Sequence, residues 1–328
     1  MNIPQTATPL YLHETLLGNN AVFLKREDLL PYSFGGNKAR IGLCYMEDME
    51  RKGCNHMLAY GNARSNLCRI LSNLCAAKGY RLTILSPADD DGQQRPSLNG
   101  ALCRQLGAEI IPCLKTGVAE TVDAAMEAIR AVGDVPYYIY GDRTGQGNRH
   151  VPVAAYADQY APLMAQCHQT FGGLPDTICL ALGTGMTQAG LLCGQSVYDH
   201  GGGHKPRIIG MSTARAESAA TAHLTQYIRE FAAANPEKAD ADAAVSCIHV
   251  YDQCRGGYGV PDAAIAALIR QQFREHGLPL DMTYTGKAYY AMQQLIRQEG
   301  WQGKRIVFLH TGGTPLFFDG VNREMTEG

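Results

Sequence analysis

No Cys-x-x-Cys pair, no P-loop ending in Gly-Lys-Ser/Thr and no apolar run of membrane-spanning length occur in this sequence of 328 residues, and neither sign of charge dominates it. The eleven cysteines are scattered, mostly inside apolar runs, as at Cys75, Cys179 and Cys193. That spacing speaks against a zinc site or a disulfide framework, so reduced, buried thiols in a cytoplasmic protein are expected. Residues 1–12 lack a basic segment followed by an apolar one, and no secretory leader is expected. A formal net charge of −2 offers nucleic acid no basic field and anionic lipid no polybasic segment, which leaves small molecules as the expected partners. A dinucleotide-binding fingerprint is also incomplete, because Gln188 stands where its third glycine belongs.

What is present is an ordinary globular composition, 45% hydrophobic with 36 glycines, in a chain long enough for two domains or one large α/β unit. Strands are expected near residues 21–24, 57–60, 81–85, 109–112, 137–140, 177–182, 207–211 and 305–309. Helices are expected from Lys38, over 65–78, 96–106, 118–132 and 153–170, after 183 to 197, from 212 to 234, and over 261–276 and 286–298. Residues 235–242 read as a loop. Strand alternating with helix means parallel sheets with right-handed crossovers. Residues 50–150 are expected to form a smaller α/β domain inserted into a larger one built from residues 1–49 and 151–328, with the ligand in the cleft between them.

Five stretches carry chemistry. In Ser33-Phe34-Gly35-Gly36-Asn37-Lys38 the glycines permit a turn, Asn37 suits a helix N-cap and Lys38 falls in the first helical turn. The positive end of the helix dipole disfavours a cation, so this amine is pushed toward its neutral, nucleophilic form, as imine formation requires. Alone, the stretch reads more readily as a turn with an exposed lysine. The strand-turn-helix Leu182-Gly183-Thr184-Gly185-Met186-Thr187 aims backbone N–H groups and a helix N-terminus at one place, a phosphate cradle or an ordinary strand-helix connection. In Arg64-Ser65-Asn66-Leu67, Ser65 and Asn66 either cap a helix or hold a carboxylate and a phenolic oxygen. Tyr258 and Tyr284 sit at turns, and Thr311 lies where a strand ends in Thr-Gly-Gly; each is open to a plain packing role.

In this order and spacing the five stretches resemble the fold type II pyridoxal-phosphate enzymes, specifically the D-cysteine desulfhydrase and 1-aminocyclopropane-1-carboxylate deaminase branch, over residues 25–315. The resemblance implies a tryptophan synthase β-like α/β fold, parallel sheets with helices on both faces, acting as a homodimer. It implies pyridoxal 5'-phosphate held covalently by Lys38, its phosphate by Gly183, Thr184, Gly185, Met186 and Thr187, its phenolic oxygen by Asn66, and its ring nitrogen beside Thr285 and Thr311. Tyr258 and Tyr284 would face the substrate and Ser65 would bind its carboxylate. A threonine after the second tyrosine, where the deaminases carry an acid, points to a lyase expelling a β-substituent from a small amino acid to give a 2-oxo acid and ammonia. The run Thr187-Gln188-Ala189-Gly190 looks closer to the deaminases. Aminocyclopropane-carboxylate deamination, cysteate-type elimination, racemisation and a non-catalytic binding protein of the same fold stay open. Leu67 and Arg64 depart from the branch's usual residues. Arg64 either reads an acidic substrate group at the lip of the site or faces solvent.

Overall fold

The computed structural model describes residues 7–88, 96–252, 260 and 262–327. The chain begins with β1 (Leu10–Leu16), β2 (Asn20–Lys25) and α1 (Lys38–Arg51), then alternates through β3 (His56–Tyr60), α2 (Asn66–Lys78), β4 (Arg81–Pro87), α3 (Leu98–Gln105), β5 (Glu109–Cys113), α4 (Val118–Ala131) and β6 (Pro136–Tyr138). It continues through α5 (Ala154–Phe171), β7 (Thr177–Leu182), α6 (Met186–Val197), β8 (Arg207–Ser212), α7 (Glu217–Ala234), α8 (Ala241–Ser246) and β9 (His249–Tyr251). α9 (Ala263–His276), α10 (Thr285–Gln298), β10 (Arg305–Leu309) and α11 (Thr314–Glu327) complete it. β3 to β6 make one four-stranded sheet in the order β5-β4-β3-β6, and the other strands make a six-stranded sheet in the order β1-β2-β10-β7-β8-β9. Every pairing is parallel except β1 with β2.

Period-two alternation in strands buried on both faces explains the layers. In β10, Val307 and Leu309 point into the core shared with α1, α2, α5 and α6, whereas Ile306 and Phe308 point into a separate core with α9 and α10. In the smaller sheet Met57 and Ala59 join the first core, and Leu58 turns to the other face to meet Val122, Ala125 and Ile129 of α4. Each sheet thus carries helices on both faces, as an α/β fold of this class should.

Four elements had no expectation: the antiparallel edge strand β1, the three-residue strand β9, and helices α8 and α11. The polar run 235–242 is a loop only until Asp240, whose side chain accepts a hydrogen bond from the N–H of Ala243 and starts α8. Asn37 does not cap α1 with its side chain. Its own φ and ψ are already helical, and its amide donates instead to Thr187 Oγ1 at 2.8 Å.

Candidate active site

Parallel strands collect their following loops at one edge, and the loops of interest leave a strand there, except that Tyr284 lies between α9 and α10. Lys38 follows β2, Ser65 and Asn66 follow β3, Gly183 to Thr187 follow β7, Arg215 follows β8, and Thr311 follows β10. All of these but Met186 line a cavity of about 560 Å³, together with Asn37, Tyr60, Asn62, Tyr140 and Tyr284. No carboxylate is among the described side chains that line it; its charged groups are Lys38 and Arg215.

The turn that delivers Lys38 is strained. Tyr32, Ser33 and Phe34 have φ of 77°, 42° and 64°, and Gly35 and Gly36 continue the left-handed run at 61° and 101°. Three non-glycine residues in that region cost roughly 1–2 kcal/mol each. The turn is held by Gly36 N–H donating to the Glu27 carbonyl at 3.0 Å and Asn37 N–H to the Thr311 carbonyl at 3.0 Å. A Cβ on Gly36 would stand 2.9 Å from that Thr311 oxygen, so only glycine allows the approach. Lys38 Nζ ends 3.5 Å from Thr184 Oγ1, and burial pushes its pKa down to about 8.

The phosphate cradle is built from main chain. α6 starts at Met186 with Gly185 at its N-cap, φ 93°, and no side chain caps it. The first N–H groups of the helix are left to a ligand. Thr184 and Thr187 line the cavity, whereas Met186 turns its side chain into the core and can offer only its backbone. An uncapped helix N-terminus facing a cavity whose described lining has no carboxylate, with a depressed lysine opposite, fits an aldehyde that carries a phosphate.

Ser65 caps α2 by accepting from Cys68 N–H at 3.2 Å, so its hydroxyl serves helix and cavity together. Asn66 Oδ1 accepts from Asn99 Nδ2 at 2.9 Å and from Arg69 Nη2 at 3.5 Å, which leaves its NH₂ as the donor available to a ligand oxygen. Tyr284 lines the cavity beside Gly183, and its N–H donates to Asp281 Oδ1 at 2.8 Å. Thr285 does not line the cavity. Its hydroxyl donates to Asp281 Oδ2 at 2.8 Å and accepts from Asp281 N–H at 2.9 Å. Thr311 is the threonine of the pair that reaches the cavity. Arg64 is also outside the lining; its N–H donates to Asn62 Oδ1 at 3.1 Å and its carbonyl accepts from Asn99, bracing the loop. Tyr258 lies outside the described residues.

Arg215 was not anticipated. Its Nη1 donates to the Gly183 carbonyl and its own backbone is pinned by Ser212, whose Oγ accepts from Arg215 N–H at 3.1 Å and donates to Arg215 O at 2.7 Å. Its place in the loop after β8 was the available signal. Asn37 was noticed only as a cap.

Comparison with known proteins agrees with this geometry. The profile of the family described as "Pyridoxal-phosphate dependent enzyme" matches residues 2–312. A 1-aminocyclopropane-1-carboxylate deaminase of Burkholderia vietnamiensis is 25% identical over 325 residues, covering 95% of this chain and 92% of the relative. A D-cysteine desulfhydrase of Klebsiella pneumoniae is 27% identical over 303 residues, covering 90% and 88%. Among solved structures, an ACC deaminase homologue superposes with a TM-score of 0.77 at 23% identity over 97% of this chain and 93% of its own, a likeness of fold.

Proposed function

Because the chain belongs to the pyridoxal-phosphate-dependent enzyme family, matched over residues 2–312, we propose that it is a lyase acting on a small amino acid, removing the α-proton and expelling a β-substituent to give a 2-oxo acid and ammonia. The observation that carries this reading is Lys38, its amine lowered to about 8, facing an uncapped helix N-terminus across a cavity whose described lining has no carboxylate. The similarity to a D-cysteine desulfhydrase and a 1-aminocyclopropane-1-carboxylate deaminase supports elimination or deamination as the reaction type.

Bound pyridoxal phosphate supplies an electron sink for the carbanion left when the α-proton departs. The Gly183–Thr187 loop would hold its phosphate, the Asn66 amide its phenolic oxygen, and Lys38 its carbonyl carbon. Thr311, which lines the cavity, would stand by the ring nitrogen, and a neutral hydroxyl there would favour loss of a β-leaving group over chemistry that needs a protonated ring. Lys38, whose amine burial shifts toward the neutral form, would take the α-proton at Nζ, and Tyr284 would face the departing group. Ser65 receives the substrate carboxylate beside the first turn of α2. The same reading divides the chain into residues 1–49 with 151–328 and an inserted 50–150 unit, supported by the sheet that β3 to β6 form alone. It also makes the enzyme a cytoplasmic homodimer, which sedimentation velocity tests.

Borohydride reduction of the yellow protein followed by peptide mapping places the pyridoxyl group on Lys38, and Lys38→Ala abolishes it; a label on Lys25 or Lys287 overturns the assignment. A panel of amino acids assayed for 2-oxo acid release then identifies the leaving group. A second reading, an anionic β-substituent, rests on Arg215, the one fixed cation in the described lining besides the lysine.

A further inference from the structure

Arg69, on the second turn of α2, is fully buried, and among the described residues its Nε and Nη1 have no hydrogen-bond partner. Among the described residues no carboxylate pairs with it. Its Nη2 donates to the Gly35 carbonyl at 3.2 Å and to Asn66 Oδ1 at 3.5 Å. These two acceptors belong to the strained turn that delivers Lys38 and to the amide proposed to hold the cofactor's phenolic oxygen. The titratable group facing Arg69 from the neighbouring α3 is Cys103, whose pKa burial pushes up, so it is held as a neutral thiol. Lys38, another cation of this region, is met by the hydroxyl of Thr184. Burial lowers even the guanidinium, to about 10. A buried charge left without a counter-ion costs folding free energy unless something else is gained by keeping it.

We propose that Arg69 is a positioning residue that joins the Lys38 turn to Asn66 and whose uncompensated charge holds the Lys38–cofactor link in its deprotonated form and the phenolic oxygen as an anion. This rests on the pyridoxal reading of the site. The fork fixes which end of the Asn66 amide faces the cavity, because Asn66 Oδ1 is occupied by Asn99 and Arg69. Its charge acts at short range through a medium with little water, raising the cost of a second cation at the link's nitrogen and lowering that of an anion at the phenolic oxygen. The bound cofactor is then the missing counter-charge.

The test is a visible-absorbance pH titration of the reconstituted wild type, Arg69→Met and Arg69→Lys, each first reduced with borohydride in a parallel sample to locate the label. The expected result is a pKa for the Lys38-linked chromophore raised by about one unit or more in Arg69→Met and little moved in Arg69→Lys. Apo Arg69→Met melts no lower than the wild-type apoprotein, since it no longer buries a charge. An unchanged titration in Arg69→Met with Lys38 labelled overturns the proposal and leaves the cofactor reading standing. So does a lysine variant that shifts upward as far as methionine would, which keeps the test decisive if Arg69→Met does not fold. An unlabelled Lys38 in the wild type overturns the cofactor reading and this proposal with it.

Discussion

Lys25 and Lys38 have the same lowered pKa, about 8, from the same cause, burial, so the number alone does not choose the nucleophile. Their partners do. Lys25 Nζ donates to the Thr8 carbonyl at 2.7 Å and to Gln166 Oε1 at 2.6 Å beside a smaller cavity, whereas Lys38 Nζ touches a threonine hydroxyl 3.5 Å away in the large one. An amine held by two short bonds is a structural donor; one with a single long bond can react. Lys38 was legible in the sequence because its signal is local, a glycine turn into a helix. Where the side chains of Arg64 and Thr285 would point was not legible, because a side chain's direction depends on distant partners, Asn99 for the loop of the first and Asp281 for the second. The arginine test follows the geometry. Arg215→Gln lowers kcat/KM for an anionic substrate such as cysteate by roughly 10- to 100-fold and leaves neutral chloroalanine nearly unchanged, because only the former loses a charge-assisted bond. Arg64→Gln moves neither selectively. Lysine at 215 restores part of the loss, being a point charge rather than a planar fork. Equal losses on both substrates with weaker pyridoxal phosphate binding assign Arg215 to the phosphate instead.

At the level of elements, the long strands and amphipathic helices were legible because both faces of the central parallel strands, such as β7 and β10, are apolar and the helices carry apolar stripes. What escaped is short or marginal. β9 has three residues, and α8 has six and one buried side chain, Ala244. β1 exposes much of its length and is an edge, where alternation weakens. In the turn before α6, bulk carries a folding cost besides blocking backbone approach to a phosphate. Gly185 sits at φ 93°, and a Cβ there would lie 3.2 Å from Leu224 Cδ2. Gly185→Ala therefore destabilises the apoprotein by about 1 kcal/mol or more, seen in urea unfolding. It also weakens pyridoxal phosphate binding in a titration of apoprotein. Pyridoxal without the phosphate is the control: if its affinity falls as much, the loop does not hold the phosphate.

For the whole molecule, burying amines and thiols makes stability depend on pH in opposing directions, and one substitution separates them. Lys38 titrates near 8 in the fold against an ordinary 10.5. Between those values the unfolded chain holds a proton that the folded apoprotein has released, so this group's contribution to stability rises with pH across that window. Below about 8 both states are protonated and the whole penalty is present; above about 10.5 neither is, and it is gone. Buried thiols act the other way. Cys68, Cys75 and Cys193 are pushed up to about 12, so the unfolded chain loses their protons first and overall stability falls above pH 9. Total stability thus hides the lysine, and a difference recovers it, since the thiols and Lys25 are common to both proteins. Apo Lys38→Met is expected to be more stable than apo wild type at pH 7, with the advantage shrinking steadily between pH 8 and 10.5. Urea midpoints of the two apoproteins at pH 7, 8, 9 and 10 measure it. An advantage that stays constant over that range would mean Lys38 is not depressed in the fold, and the chemical argument for it as the nucleophile would have to rest on its position alone.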